Sequence, residues 1–111
     1  MAFVTVQYIR MFQAAIVAAA TTQYTVPASR QDVIKDIEVA NTTAGALTFT
    51  MNVVPTGGSA GTGNQVLPAV TIPANQTLHW TGTIVMNAGD FISTAASGTG
   101  LTVTMSGLES Q

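Results

Sequence analysis

The sequence predicts an all-β fold: an antiparallel β-sandwich of about eight strands with an extended N-terminal arm. Two observations support this fold class. Short segments of alternating apolar and polar residues recur along the chain, and turns containing Pro, Gly or Asn separate them about every 8 to 12 residues. The 111 residues suit a single domain, with an arm over residues 1–20 and a sandwich over residues 21–111. The pattern is compatible with immunoglobulin-like and with jelly-roll-like connections.

The first twenty residues are largely apolar and are interpreted as the arm. Residues 3–9 are rich in β-branched and aromatic side chains, which favour strands, whereas the Ala-rich residues 11–20 could form a strand or a short helix. Polar residues such as Arg10 and Gln13 interrupt the apolar run, and no positive charge precedes it. Both features argue against a membrane span and a signal peptide. We therefore expect the arm to extend from the domain and contact a neighbouring subunit.

The segment 32–39 predicts a strand with one irregularity. Apolar residues alternate with three acidic residues that are expected to share the solvent-facing side: Asp32, Asp36 and Glu38. Lys35 falls on the apolar side and Ile34 on the polar side, so the alternation is imperfect. A β-bulge or a partly covered outer face would explain this.

The segment 47–53 has the most regular alternation in the chain. It predicts a strand with four core-facing side chains: Leu47, Phe49, Met51 and Val53. A Gly-rich loop over residues 55–64 is expected to follow it. Further strands are predicted at 66–72, 77–83, 84–86, 91–95 and 101–105, and a strand at 23–26 precedes them all. In the last strand Leu101, Val103 and Met105 are expected to face the core.

Charge is scarce in this chain. Only 7% of residues are charged, whereas a soluble domain usually has about 25%, so we expect other subunits to cover much of the surface. The basic residues Arg10, Arg30 and Lys35 are spread thinly, and phosphate binding needs clustered charge, so no nucleic-acid partner is predicted. The absence of Cys excludes disulfides, thiolate nucleophiles and Cys-based zinc sites.

Few residues could support catalysis or metal binding. His79 is the single histidine and precedes Trp80 in a predicted strand, so the two side chains should point to opposite faces. We interpret His79 as facing solvent or an interface. At about 3.3 Å per residue, the acidic side chains from Asp32 to Glu38 spread over roughly 20 Å, which predicts a solvated strand face with no metal or acid–base site.

The remaining candidates are also interpreted as structural. Asp90 ends an Asn-Ala-Gly-Asp turn, and we expect its carboxylate to bond the local backbone. Gly57 and Gly58 begin a Gly-rich stretch that lacks the Lys of a phosphate-binding loop. Trp80 is interpreted as a core anchor, with a carbohydrate platform or an interface hot spot as the alternative. The sequence thus predicts no catalytic residue, cofactor or metal.

Several turn and strand segments together resemble a small β-sandwich family of virion structural proteins from tailed bacteriophages. The resemblance covers about residues 20–108, and the segments that carry it are YTVPA at 24–28, VIKDI at 33–37, VANTT at 39–43, VP at 54–55 before the Gly pair, IPA at 72–74 and NAGDFI at 87–92. It implies a component of the virion and assigns no catalytic residue.

The sequence therefore suggests a non-enzymatic phage structural protein in the virion. The leading hypothesis is a capsid decoration or cement protein, or a minor head protein, that stabilises the particle through protein–protein contacts. Its expected partners are other copies of itself, with a trimer as one arrangement, and the major capsid protein or tail proteins. No membrane partner is expected. The alternatives are a tail adaptor, a tail-tip or fibre-associated component, and a carbohydrate-binding module.

Overall fold

The computed structural model describes residues 5–111. These residues form eight β-strands and one 3-10 turn, as the sequence predicts for an all-β chain. Within them, no helix is long and apolar enough to cross a membrane. The strands are β1 (Val6–Ile16), β2 (Thr21–Thr25), β3 (Gln31–Asn41), β4 (Leu47–Val54), β5 (Gln65–Ile72), β6 (Thr77–Met86), β7 (Phe91–Ala96) and β8 (Leu101–Ser110), and the 3-10 turn is Thr62–Asn64.

The strands form two antiparallel four-stranded sheets that pack as a sandwich. Sheet A has the order β1-β8-β3-β6, and sheet B has the order β2-β7-β4-β5. β4 and β5 pair as the innermost hairpin, and β3 pairs with β6, β2 with β7 and β1 with β8. This pairing order, in which each pair encloses the previous one along the chain, is the jelly-roll arrangement. The predicted sandwich is confirmed, and the strand order selects the jelly roll over the immunoglobulin-like alternative.

Apolar side chains from both sheets form one core between them. The inward positions predicted for β4 and β8 are confirmed, because Phe49, Met51 and the alternating residues of β8 are buried and Leu47 and Val53 are partly buried against the core. Burial of an aliphatic or aromatic side chain stabilises the fold by about 1.5–3 kcal/mol. The largest fully buried residues include Ile34, Ile37, Met105, Leu101 and Met86 from sheet A and Phe49, Met51, Ile72 and Ile92 from sheet B.

A β-bulge at Lys35 interrupts β3, and it corrects one prediction. The register shifts between Ile34 and Asp36 against both neighbouring strands. The extra residue reverses the alternation, so Ile34 faces the core while Val33 faces outward. The prediction that three acidic residues share the outer face is therefore wrong for Asp32, which is 0% exposed. The possibility of a bulge, raised by the imperfect alternation, is confirmed.

The apolar N-terminal segment lies in the sheet of its own chain. β1 pairs with β8 over ten residue pairs, and Met11 and Ile16 are buried in the core. Residues 6–16 are thus a strand of the sandwich, whereas the sequence led us to expect an arm separate from the domain. The physical reason is that β8 would otherwise expose a row of unpaired backbone groups. The first four residues of the expected arm lie outside the described residues.

Candidate functional site

A row of apolar side chains crosses the outer face of sheet A. Tyr8, Leu108, Val33 and Val85 are successive register partners on β1, β8, β3 and β6. Directly paired residues lie on the same face of a sheet, so the four side chains form one stripe, called the apolar row below. Tyr8 is 87% exposed and Val85 is 54% exposed, while the two central side chains are half-buried. Sequence alternation missed this row because the bulge turns Val33 outward.

Polar and charged residues lie beside the apolar row on the same face. Arg10 on the edge strand β1 is in register with Ser106, which pairs with Asp36 on β3. Lys35 donates a hydrogen bond of 2.8 Å from Nζ to Thr83 on β6. The outer face of sheet A therefore combines an exposed apolar stripe with both signs of charge.

One histidine and two carboxylates meet further along this face. His79 is the register partner of Glu38, with Nδ1 3.9 Å from Glu38 Oε1 and Nε2 3.5 Å from Asp36 Oδ1. The local sequence does not reveal this contact, because the pairing of β3 with β6 brings the residues together. As predicted, His79 points to solvent and not to the core. Its side chain is 58% exposed.

This group offers the nitrogen and oxygen ligands that a zinc ion accepts. One ligand atom from each of Asp36, Glu38 and His79 lies within 4.8 Å of the others. Around a tetrahedral zinc ion, with bonds of about 2.1 Å, ligand atoms are about 3.4 Å apart. The three side chains would therefore have to move closer together, and they are 40–58% exposed to competing water. As they stand, they form weak surface ion pairs when His79 is protonated.

A second polar cluster is buried between the two sheets. Asp32 and Glu109 are register partners on β3 and β8, with exposures of 0% and 5%. Tyr24 on β2 donates its hydroxyl hydrogen bond to Asp32 Oδ2, and Arg30 donates to Glu109 Oε1 at 2.7 Å. The cluster joins sheet B to sheet A at one end of the sandwich. This cluster was not predicted, because the alternation of residues 32–39 placed Asp32 on the outer face.

Burial controls the protonation of this cluster. Desolvation raises the pKa of Asp32 above its ordinary value, and the neighbouring Glu109 raises it further, while the hydrogen bond from Tyr24 lowers it. Burial also raises the pKa of the Tyr24 hydroxyl, and the carboxylate of Asp32 adds to that rise. Within residues 5–111, Asp32 Oδ1 has no hydrogen-bond partner. The cluster therefore stabilises the fold best when Asp32 holds a proton.

Two other sequence candidates have the structural roles that were predicted. Trp80 is partly buried and packs against the core together with Leu78. This packing favours the core-anchor interpretation over the carbohydrate platform. Asp90 Oδ2 accepts a hydrogen bond of 2.9 Å from the backbone N–H of Asn87, and Oδ1 accepts one of 3.1 Å from the N–H of Thr56. Asp90 is thus a turn residue.

The outer face of sheet B differs from that of sheet A because the 55–64 loop covers part of it. Asn52 on β4 donates hydrogen bonds to the carbonyl oxygen of Gly61 at 2.8 Å and to Asn64 Oδ1 at 2.7 Å. Asn52 is consequently only 6% exposed, and Val54 on the same strand is fully buried. The described residues contain no cavity or cleft. The uncovered face of sheet A is therefore the candidate functional surface.

Comparisons with solved structures reveal the same fold in viral chains. A chain from infectious bursal disease virus, Gx strain, superposes with a TM-score of 0.54 at 14% identity over 98% of this chain. A chain from the crystal structure of the viral particle of that virus gives 0.52 at 10% identity over 96%. This chain spans only 32% and 30% of the length of those two chains. No family model matches the sequence, and no curated protein matches it.

A third similar structure comes from Bacillus endospore appendages, described as disulfide-linked pili. Its chain superposes with a TM-score of 0.52 at 15% identity, over 96% of this chain and 86% of its own length. The present chain has no Cys, so it cannot form such links. At these identities the similarities establish the shared β-sandwich and no function. The resemblance to a tailed-bacteriophage family stays a prediction.

Proposed function

We propose that this chain is a non-enzymatic structural protein of a virion, where it stabilises the particle as a capsid decoration or cement protein or as a minor head protein. It acts by binding other copies of itself and a coat protein. The observation that carries this proposal is the open outer face of sheet A, with its exposed apolar row. Large exposed apolar patches on soluble proteins usually mark contact surfaces.

The composition and the fold support a contact role. With 7% charged residues, the chain has little charge with which to repel neighbouring copies. The jelly roll is shared with chains of a viral particle, although the identity is too low to transfer their role. The titratable groups are compatible with a non-enzymatic role, because the Asp32 cluster is buried inside the sandwich and His79 lies among exposed carboxylates.

The edges of sheet A provide a second means of contact between subunits. β1 and β6 are its outer strands, with 11 and 10 residues and no Pro. Each has one register shift against its neighbouring strand, whereas the edge strand β5 of sheet B contains Pro68 and has two register shifts against β4. Pro and bulges hinder the addition of another strand, whereas a long edge without Pro can accept one. Sheet A is therefore the sheet better suited to continue into a neighbouring subunit.

A filament subunit of a surface appendage is the second candidate function. The observation that favours it is the match in length, because this chain spans 86% of the endospore appendage chain and only about a third of the viral ones. Contacts in such a filament would be non-covalent here, since the chain has no Cys. A tail adaptor or a tail-tip component would also be a structural protein of the virion, and it would differ from a decoration protein only in its location on the particle.

Copy number in purified particles tests the proposal. Virions and surface appendages are isolated from the source, and this chain is quantified in each by mass spectrometry with isotope-labelled peptides. A decoration protein is expected at a number comparable to that of the major coat protein, and a tail component at a small fraction of it. Abundance in isolated appendages would support the second candidate. Absence from both kinds of particle would contradict a structural role.

A further inference from the structure

We propose that the outer face of sheet A binds the same face of a second copy of this chain, related by a twofold axis. This inference rests on the proposed structural function and names the surface and the occupant. In this contact the apolar rows of the two copies would pack on each other, with the row that contains Arg10 and Asp36 directly beside them.

The distribution of exposed apolar side chains supports this choice of surface. Four large apolar residues of the described chain are exposed: Val6, Tyr8, Val17 and Val85. Three of them belong to the outer face of sheet A, because Val6 lies two residues from Tyr8 on the same side of β1 and Val85 completes the apolar row. Val17 follows β1 and lies outside the paired strands. The exposed apolar surface is thus concentrated on one sheet.

The size of the face is sufficient for a specific dimer. Four strands about 4.8 Å apart, each about ten residues long at about 3.3 Å per residue, present an area of about 600 Å². Two such faces would bury about 1,200 Å², at the lower end of the range for specific protein interfaces. Two sheets pack face to face about 10 Å apart, with strand directions within about 30°. A second copy therefore fits this surface without any change in the fold.

The charges on the face are complementary to those on a second copy. A twofold axis parallel to the strands, between β8 and β3, places β1 over β6 and β8 over β3 of the second copy. Each row then packs on itself, so the apolar row meets the apolar row. Arg10 comes to lie over Thr81 on β6 of the second copy, which is the register partner of Asp36, while Lys35 of that copy is held nearby by its hydrogen bond to Thr83. Because each copy supplies both a cation and an anion, the face matches itself better than it matches a partner of one charge.

Sedimentation equilibrium of purified variants tests the contact. Tyr8→Thr combined with Val85→Thr removes the exposed apolar groups and places at both positions Thr, a β-branched residue that suits a strand. We expect this variant to raise the dimer dissociation constant about tenfold or more, because it removes the two most exposed side chains of the apolar row and large aromatic side chains contribute strongly to interface affinity. The matched control is Val17→Thr, which changes a valine of similar exposure to Val85 that lies outside the paired strands, and it should leave the dissociation constant unchanged. Thermal unfolding verifies that each variant is folded.

A charge exchange distinguishes a second copy from any other occupant. Arg10→Glu alone and Asp36→Lys alone should each weaken self-association, since each homodimer then contains two like-charged contacts. An equimolar mixture of the two variants should restore association, because both contacts become attractive in the mixed dimer. Failure of the mixture to restore association would overturn the twofold arrangement.

Two other outcomes would overturn the inference in different ways. If the Tyr8 and Val85 variant associates like the wild type, the contact lies elsewhere, and the proposed function stands as long as the chain is abundant in particles. If the wild-type chain is monomeric at every concentration, a second copy is not the occupant of the face. Absence from purified particles as well would refute the proposed function together with the inference.

Discussion

Gly107 is the position where a single methyl group should damage this fold most. It lies in β8 between Ile9 of β1 and Ile34 of β3. A Cβ atom built on Gly107 would lie 1.9 Å from the carbonyl oxygen of Val33 and 2.9 Å from its carbonyl carbon. An ordinary contact of a Cβ atom is 3.4–4 Å. Glycine is therefore required here because the backbones of β3 and β8 approach closely at the bulge.

The cost of Gly107→Ala follows from that distance. To accommodate the methyl group, β3 and β8 must separate locally by about 1.5 Å, which breaks the hydrogen bonds that flank the site. Two unsatisfied buried backbone groups cost about 1–3 kcal/mol each, so we expect a loss of about 4 kcal/mol in the free energy of unfolding. For a domain of this size, such a loss lowers the melting temperature by on the order of 15 °C.

Guanidinium unfolding followed by fluorescence provides the assay, because Trp80 is the only Trp and packs against the core. Gly45→Ala is the matched control: it adds the same methyl group in a loop, where no atom lies within 4 Å of the new Cβ. We expect the control to stay within about 0.5 kcal/mol of the wild type. A wild-type midpoint for Gly107→Ala would refute the close approach of β3 and β8, and with it the register of sheet A.

Three further predictions follow from buried groups and from β1. Asp32→Asn should raise the free energy of unfolding at neutral pH and leave it nearly unchanged in acid. Burial raises the pKa of Asp32 in the folded chain, so folding is favoured when the carboxyl holds its proton. That contribution is complete below the ordinary Asp pKa and is lost as the pH rises through the raised pKa. Unfolding curves across pH measure this effect, and an equal difference at every pH would contradict it. Asn41→Ala should cost about 2 kcal/mol in chemical denaturation, because Asn41 is 2% exposed and its amide donates to the carbonyl oxygens of Ile72 and Gly45. Deleting residues 1–16 should abolish folding, since it removes two buried side chains and the pairing of β8; a cooperative thermal transition in the truncated chain would show that β1 is dispensable.

The strand pattern of the sequence predicted most of the fold. Alternation in β4 and β8 identified inward residues such as Phe49 and Met105, and the turn residues separated the seven strands from β2 to β8. Alternation could not choose between jelly-roll and immunoglobulin-like order, because strand pairing depends on contacts far apart in the chain. The pairing of β1 with β8, at the opposite end of the chain, was not predictable from alternation either, so residues 1–20 were interpreted as an arm.

The candidate surface was harder to predict because one inserted residue determines it. The bulge at Lys35 changes the face of every residue before it in β3, which buries Asp32 and exposes Val33. The alternation of apolar and polar residues shows that an irregularity is present in the strand. It does not show whether the residues before or after the irregularity have their inward and outward faces exchanged. The contact of His79 with Glu38 was missed because it depends on the register between β3 and β6.

Footprinting of Tyr8 tests the central claim most directly. Tyr8 is 87% exposed in the single chain, so hydroxyl radicals should modify it rapidly when the protein is dissociated. If subunits assemble through the outer face of sheet A, its modification rate should fall several-fold in assembled particles, while that of the exposed Val17 outside the face stays the same. Equal modification of Tyr8 in assembled and dissociated protein would contradict the claim that this face is the contact surface.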